Sequence, residues 1–144
     1  MSLQTIKERI KKHEGFRDMM YEDHLGFKTI GYGHKVVEDG ILPGIQYSKE
    51  ELEKIFDKDF DYAVQSANEI LDPDIHSVAR GVVIEMIFQL GKAGVLKFKN
   101  FLAALKFHQY SKAADEMLDS LWFKQTPKRC QELSTVMRSC DTST

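Results

Sequence analysis

Between positions 14 and 34 of this 144-residue chain lie two candidate catalytic acids, a candidate hydroxyl and a histidine: Glu14, Asp23, Thr29 and His34. Glu14 closes a short amphipathic pattern with Leu3, Ile6 and Ile10 as its apolar stripe, and Gly15 follows as a helix terminator. A carboxylate at the negative end of a helix is disfavoured as an anion, so its pKa is expected to drift upward, as a general acid requires. With Asp23 across a groove, such an acid would make the pair used in glycosidic bond cleavage. One carboxyl would protonate the leaving oxygen while the other managed a nucleophile. Each residue also has a plain structural reading. Glu14 can be an ordinary surface acid, Asp23 before Leu25-Gly26 can shape a turn, and Thr29 suits a strand without any function. Gly31 and Gly33 bracket Tyr32 as in a tight hairpin or bulge, and no βαβ pattern surrounds them to make a dinucleotide site. Spacing alone therefore reaches a candidate acid pair and stops there.

The elements that must hold these groups can be traced by periodicity. Thr5 and Glu8 have capping-box spacing, although the apolar pattern starts before them. Residues 17–37, interrupted by Gly26, Gly31 and Gly33, predict a small antiparallel hairpin or three-stranded sheet. A loop with Gly40, Pro43 and Gly44 follows. Ser48 and Glu51 then make a capping box, opening a helix of about six turns that Asp72-Pro73 ends. Beyond Pro73 the pattern is helical throughout. A wide apolar face from Ile75 to Leu90 predicts a buried central helix, broken by Gly91 and Gly94. Further helices are expected from Val95 to Phe107, from a Ser111 cap through Leu118, and from Thr126-Pro127 to about Arg138, with Leu121-Trp122-Phe123 as an apolar anchor. The tail from Asp141 to Thr144 should fray. The fold class is α+β and mainly helical: a small N-terminal β lobe and a helical C-terminal lobe joined by a long helix. The divisions are 1–47, 48–72 and 73–144, with a groove between the lobes as the natural ligand site.

Composition narrows the partners. A formal charge of −2 gives no overall pull toward nucleic acid or membrane. Basic side chains gather in residues 92–138, which can be a face for an anionic polymer or merely a solvated surface. No motif for nucleic acid accompanies them. The chain has no 18-residue apolar run and no signal-peptide core, predicting a protein held in a host or bacterial cytoplasm until something else releases it. Cys130 and Cys140 form no metal pattern; free thiols are expected, with a disulfide as the alternative.

The run Glu14-Gly15-Phe16-Arg17, Tyr21, Asp23, Gly26 and Thr29-Ile30-Gly31-Tyr32-Gly33-His34 resembles the active-site region of the phage-type lysozymes, or endolysins. The likeness resumes in Lys49-Glu50-Glu51-Leu52 to Asp61, in Phe88-Gln89-Leu90-Gly91, in Gly94-Val95 and in Trp122 to Arg129, so it covers nearly the whole chain in unchanged order. It implies hydrolysis of the β-1,4 bond between N-acetylmuramic acid and N-acetylglucosamine in bacterial peptidoglycan. Glu14 would be the general acid, Asp23 would stabilise positive charge and help activate water, and Thr29 would hold that water, an arrangement that predicts inversion. By the same resemblance His34 pairs with Asp59 as a structural pair, and Gln89 meets Trp122 beneath the cleft. Arg129 would sit beside the catalytic glutamate, and Tyr32, Leu90, Gly94 and Phe98 would line the sugar site. If His34 and Asp59 pair, the pair stabilises the fold below the pH at which the histidine loses its proton. The N-terminal helix is expected to pack on the C-terminal lobe. The implied partner is cell-wall peptidoglycan, with no nucleic acid, no stable membrane association, no metal, no organic cofactor and a monomeric state.

Two departures stand out. Residues 35–47 are shorter than the family's corresponding segment, which predicts a smaller β lobe. Glu85 replaces an amide, so it is expected to compete with Glu14 for Arg129. Two other readings stay open. A catalytically inactive peptidoglycan-binding protein would not need Glu14, Asp23 and Thr29 together. A lytic transglycosylase would use Glu14 but no water held by Thr29.

Overall fold

The N-terminal helix α1, Leu3–Glu14, forms because Ile6 and Ile10 sit one turn apart and are both buried, while Leu3 of the expected stripe is left mostly in solvent. Gly15 stops it in the left-handed region at φ +71°, its N–H donating to Lys11 O at 3.0 Å. In this computed structural model residues 2–37 and 40–141 are described.

Three short antiparallel strands follow, β1 (Arg17–Glu22), β2 (Lys28–Gly31) and β3 (His34–Lys35), in the order β1-β2-β3. Tyr21 faces Thr29 and Glu22 faces Lys28, and an irregularity between Arg17 and Tyr21 marks a bulge in β1. A sheet this small is marginal alone. Its buried Ile30 belongs to the same compact unit as Leu52, Phe56 and Phe60, the apolar face of the next helix.

That helix, α2, spans Lys49–Ile70. Ser48 caps it as expected: its oxygen accepts the Glu51 N–H at 3.1 Å, and its hydroxyl donates to Glu51 Oε1 at 3.0 Å. The helix ends two residues before Asp72-Pro73. The chain forms two compact units, one of Gln4–Tyr62 and the other of the described residues from Ala63 onward with the first residues of the chain, so the division falls inside α2.

The second unit is helical. α3, Ser77–Leu96, carries the buried run from Ala79 to Ile87; His76 Nδ1 caps it by accepting the Val78 N–H at 3.1 Å. Gly91 breaks its geometry at φ 80°, ψ 160°, yet the helix resumes with Gly94 inside it, so only one of the two glycines interrupts. Val95 and Leu96 therefore finish α3, and a separate α4 runs Lys99–Lys106.

The next helix, α5, spans Tyr110–Leu118 and is not capped by Ser111. The Asp141 carboxylate does that work, accepting the N–H of Tyr110 at 3.3 Å and of Ser111 at 2.6 Å. Asp141 is thus tied down rather than frayed; 142–144 lie outside the described residues. In α6, Leu121–Gln125, Trp122 is buried and Phe123 half-buried, whereas Leu121 of the expected anchor is 67% exposed. Pro127 opens α7, Pro127–Ser139, but the Thr126 side chain makes no cap bond, being spent on Trp122 O at 3.3 Å. Cys130 and Cys140 are free and buried. The architecture is α+β, with a small N-terminal sheet, the long α2 and a helical C-terminal lobe, as the sequence predicts.

Candidate active site

The last residue of α1, Glu14, is half-buried and directs its carboxyl against the β2–β3 turn. A methyl group placed on Gly33 would come 2.8 Å from the carboxyl carbon and 3.2 Å from Cγ, so the carboxyl keeps this position only against a bare Cα. Gly33 also sits at φ +74°, where a side chain is strained regardless of space. The glycine that looks like a turn residue in the sequence therefore forms one wall of the Glu14 carboxyl site.

Asp23 and Thr29 are joined through one residue between them. Asp23 Oδ1 accepts the N–H of Leu25 and of Phe27, each at 2.9 Å, which closes the β1–β2 turn. Thr29 Oγ1 donates to Phe27 O at 2.9 Å and is 2% exposed. Phe27 thus engages both candidate water-handling groups, Asp23 through its N–H and Thr29 through its C=O. The turn-shaping reading of Asp23 holds in the structure, and both turn bonds fall on one carboxylate oxygen.

Tyr21, which the sequence places in the family-like run without a role, lies within the electrostatic reach of both Glu14 and Asp23. It lies opposite Thr29 on the ladder, which puts the two side chains on one face of the sheet. Burial pushes its hydroxyl above the ordinary 10.0, and the negative charges of Glu14 and Asp23 add to that, against the opposing pull of Arg17. The Arg17 guanidinium lies 4.6 Å from the centre of the Tyr21 ring. One phenol thus feels both carboxylates.

His34 Nδ1 and Asp59 Oδ2 stand 2.7 Å apart, joining β3 to α2. Tyr32 is half-buried, with its hydroxyl and its ring engaged. Its ring meets Phe16 at 4.9 Å and Phe56 at 5.4 Å, and its hydroxyl donates to Glu53 Oε1 at 3.0 Å. Glu53 also accepts from Lys11 Nζ at 2.8 Å. Neither Lys11 nor Glu53 stands out in the sequence, where each reads as part of a solvated helix face; the only cue is that Lys11 precedes Glu14 by three residues.

Within the helical unit, the Trp122 indole donates to Gln89 Oε1 at 3.0 Å, and the Gln89 amide donates to Thr126 Oγ1 at 3.2 Å. Arg129 Nε donates to Glu85 Oε2 at 3.0 Å, a pair whose side chains are 10% and 0% exposed. Leu90, Gly94 and Phe98 line one cavity of about 430 Å³ with Trp122, bordered by Lys97, Lys99, Glu116 and Asp119. Those three expected sugar contacts share a site, whereas Tyr32 belongs to the other unit.

The profile of the phage lysozyme family matches residues 11–138. The chain is similar to probable T4-type lysozyme 1 of Dictyostelium discoideum, with 29% identity over 94% of each chain. Its likeness to probable T4-type lysozyme 2 of the same organism is 28%, again over 94% of each. It is also 27% identical to the endolysin of Salmonella phage P22, covering 81% of this chain and 79% of that one. The family profile spans both the Gly33-walled glutamate and the Trp122–Gln89–Thr126 network, and on that match the chain belongs to the phage lysozyme family of glycoside hydrolases.

Proposed function

We propose that this lysozyme-family hydrolase cleaves the β-1,4 bond between N-acetylmuramic acid and N-acetylglucosamine in bacterial peptidoglycan, with inversion and with Glu14 as general acid. The carrying observation is the shared anchoring of Asp23 and Thr29 on Phe27. Because the Thr29 hydroxyl proton goes to Phe27 O, that oxygen offers only lone pairs to an incoming water. A water that donates one hydrogen to Thr29 and the other to the Asp23 carboxylate keeps its own lone pair for the anomeric carbon. Thr29 orients the water, since a hydroxyl is too weak a base to deprotonate it. Glu14 gives its proton to the departing oxygen, and the Asp23 carboxylate opposes the positive charge that builds on the ring. The 430 Å³ cavity, with an indole and a phenyl beside amide and charged groups, suits the amphipathic face of an amino sugar.

The protein is placed by this reading on the bacterial wall, acting as a monomer. Among the described residues no helix is long and apolar enough to cross a membrane. Digestion of purified walls by wild type, Glu14→Gln, Asp23→Asn and Thr29→Ala tests the proposal. Reducing ends of inverted configuration are expected from wild type, with activity at least about 10²-fold lower in Glu14→Gln. Anhydro-muramoyl ends would replace it with transglycosylation, and wall binding without cleavage would leave an inactive binding fold.

A further inference from the structure

We infer that Glu53 is a positioning residue for the proposed acid: with Lys11 and Tyr32 it forms a clamp that holds the Glu14 carboxyl against Gly33. The inference rests on the reading of Glu14 as general acid. Three elements meet at this carboxylate. Lys11, on the last turn of α1, donates to Glu53 Oε2 at 2.8 Å and to Oε1 at 3.1 Å. Tyr32, at the β2–β3 turn, donates to the same Oε1 at 3.0 Å. Glu53 itself stands on the first turns of α2.

The two groups that Glu53 ties together are the immediate neighbours of the pair that must stay in register. Lys11 sits one helical turn before Glu14, and Lys11 O accepts the Gly15 N–H that closes the helix just past the acid. Tyr32 is covalently next to Gly33. The clamp is therefore a short cross-link between the backbone that carries the carboxyl and the backbone that forms its wall. The aromatic contacts set the remaining freedom: Lys11 Nζ lies 4.9 Å from the Tyr32 ring centre and 4.8 Å from that of Phe56. With the clamp open, the turn and the helix end could slide past each other by a fraction of an ångström, and the acid would lose its alignment to the leaving oxygen. Misplacement on the scale of 1 Å can cost about 10²-fold in rate.

This assigns Tyr32 a different task from sugar contact. Its hydroxyl is engaged by Glu53, so it acts on the reaction through Glu14 rather than through the substrate.

The test compares steady-state turnover of solubilised wall fragments by wild type, Tyr32→Phe, Glu53→Gln, Glu53→Asp and Glu14→Gln, with thermal unfolding of each. Tyr32→Phe keeps the packed ring, so its fold is expected to stay intact. The clamp predicts a fall in kcat of roughly tenfold in Tyr32→Phe and Glu53→Gln with KM within about twofold, and partial recovery of kcat in Glu53→Asp. A rise in KM with unchanged kcat in Tyr32→Phe would make it a sugar contact and overturn the inference. Unchanged kcat and KM with a lowered Tm would overturn it too, leaving Glu53 a stability residue. Full activity in Glu14→Gln would instead sink the general-acid reading, whatever the clamp variants do.

Discussion

Glu14, Gly33 and Tyr21 carry the most specific consequences of the site. Gly33→Ala adds a methyl group that meets the Glu14 carboxyl and holds a side chain at φ +74°. The backbone strain is about 1 kcal/mol, but the larger effect is expected in rate, since the carboxyl must move aside; kcat should drop by about 10-fold to 100-fold while the fold survives. Parallel turnover and unfolding measurements check this. Tyr21 offers a reading of charge. Its hydroxyl is raised first by burial and then by Glu14 and Asp23, so neutralising either acid should lower the phenol pKa while leaving it above 10.0. Ultraviolet titration of Tyr21 in Glu14→Gln and Asp23→Asn gives the answer, with the other tyrosines replaced by phenylalanine as background. An unmoved titration in both would mean that the phenol senses neither carboxylate.

Among the elements, α5 depends on a residue far along the chain. Asp141 accepts two N–H groups at its start, and those bonds, those of Ser111 foremost, hold the carboxyl below its ordinary 3.8. A depressed folded-state value means that the stabilisation is complete above that ordinary value and is lost as pH falls through the folded one. Asp141→Ala should therefore lower the Tm at neutral pH, with the gap to wild type closing as the pH drops below about 3.8. Local periodicity could not reveal this cap, because Ser111 is the nearer polar residue and Asp141 comes 30 positions later. The Ser48–Glu51 box was legible because both partners lie in one turn. Gly91 was legible as an interruption, but that the helix resumes with Gly94 inside it depends on how the following residues pack.

At the scale of the molecule, the helical unit carries an ion pair between α3 and α7 inside a largely apolar core. Glu85 is fully buried and Arg129 nearly so. Glu85→Gln replaces a charge-assisted bond to the guanidinium with a neutral one in a poorly solvated place, so it should destabilise the protein by about 2 kcal/mol in urea unfolding. A change under about 0.5 kcal/mol, the range of an ordinary surface substitution, would show that the pair is structurally dispensable. Most of the fold was readable from the order of helical and strand patterns. The candidate site was legible as a set of types, Glu14, Asp23 and Thr29, but the contacts that hold those side chains were not. The Gly33 wall and the Glu53 clamp join residues distant in sequence, where a glycine and a helix-face glutamate look ordinary; the Phe27 anchor is local, but its bonds run through the Phe27 backbone, which its residue type does not announce.

The two thiols turn the helical unit into its own reporter. Cys130 lies on α7 and Cys140 at its end, both out of reach of solvent, and burial pushes the Cys130 thiol up to about 12. At neutral pH neither should react with an alkylating reagent until α7 detaches. The rate of thiol labelling in the unaltered protein then times the opening of that helix, with no probe to be engineered.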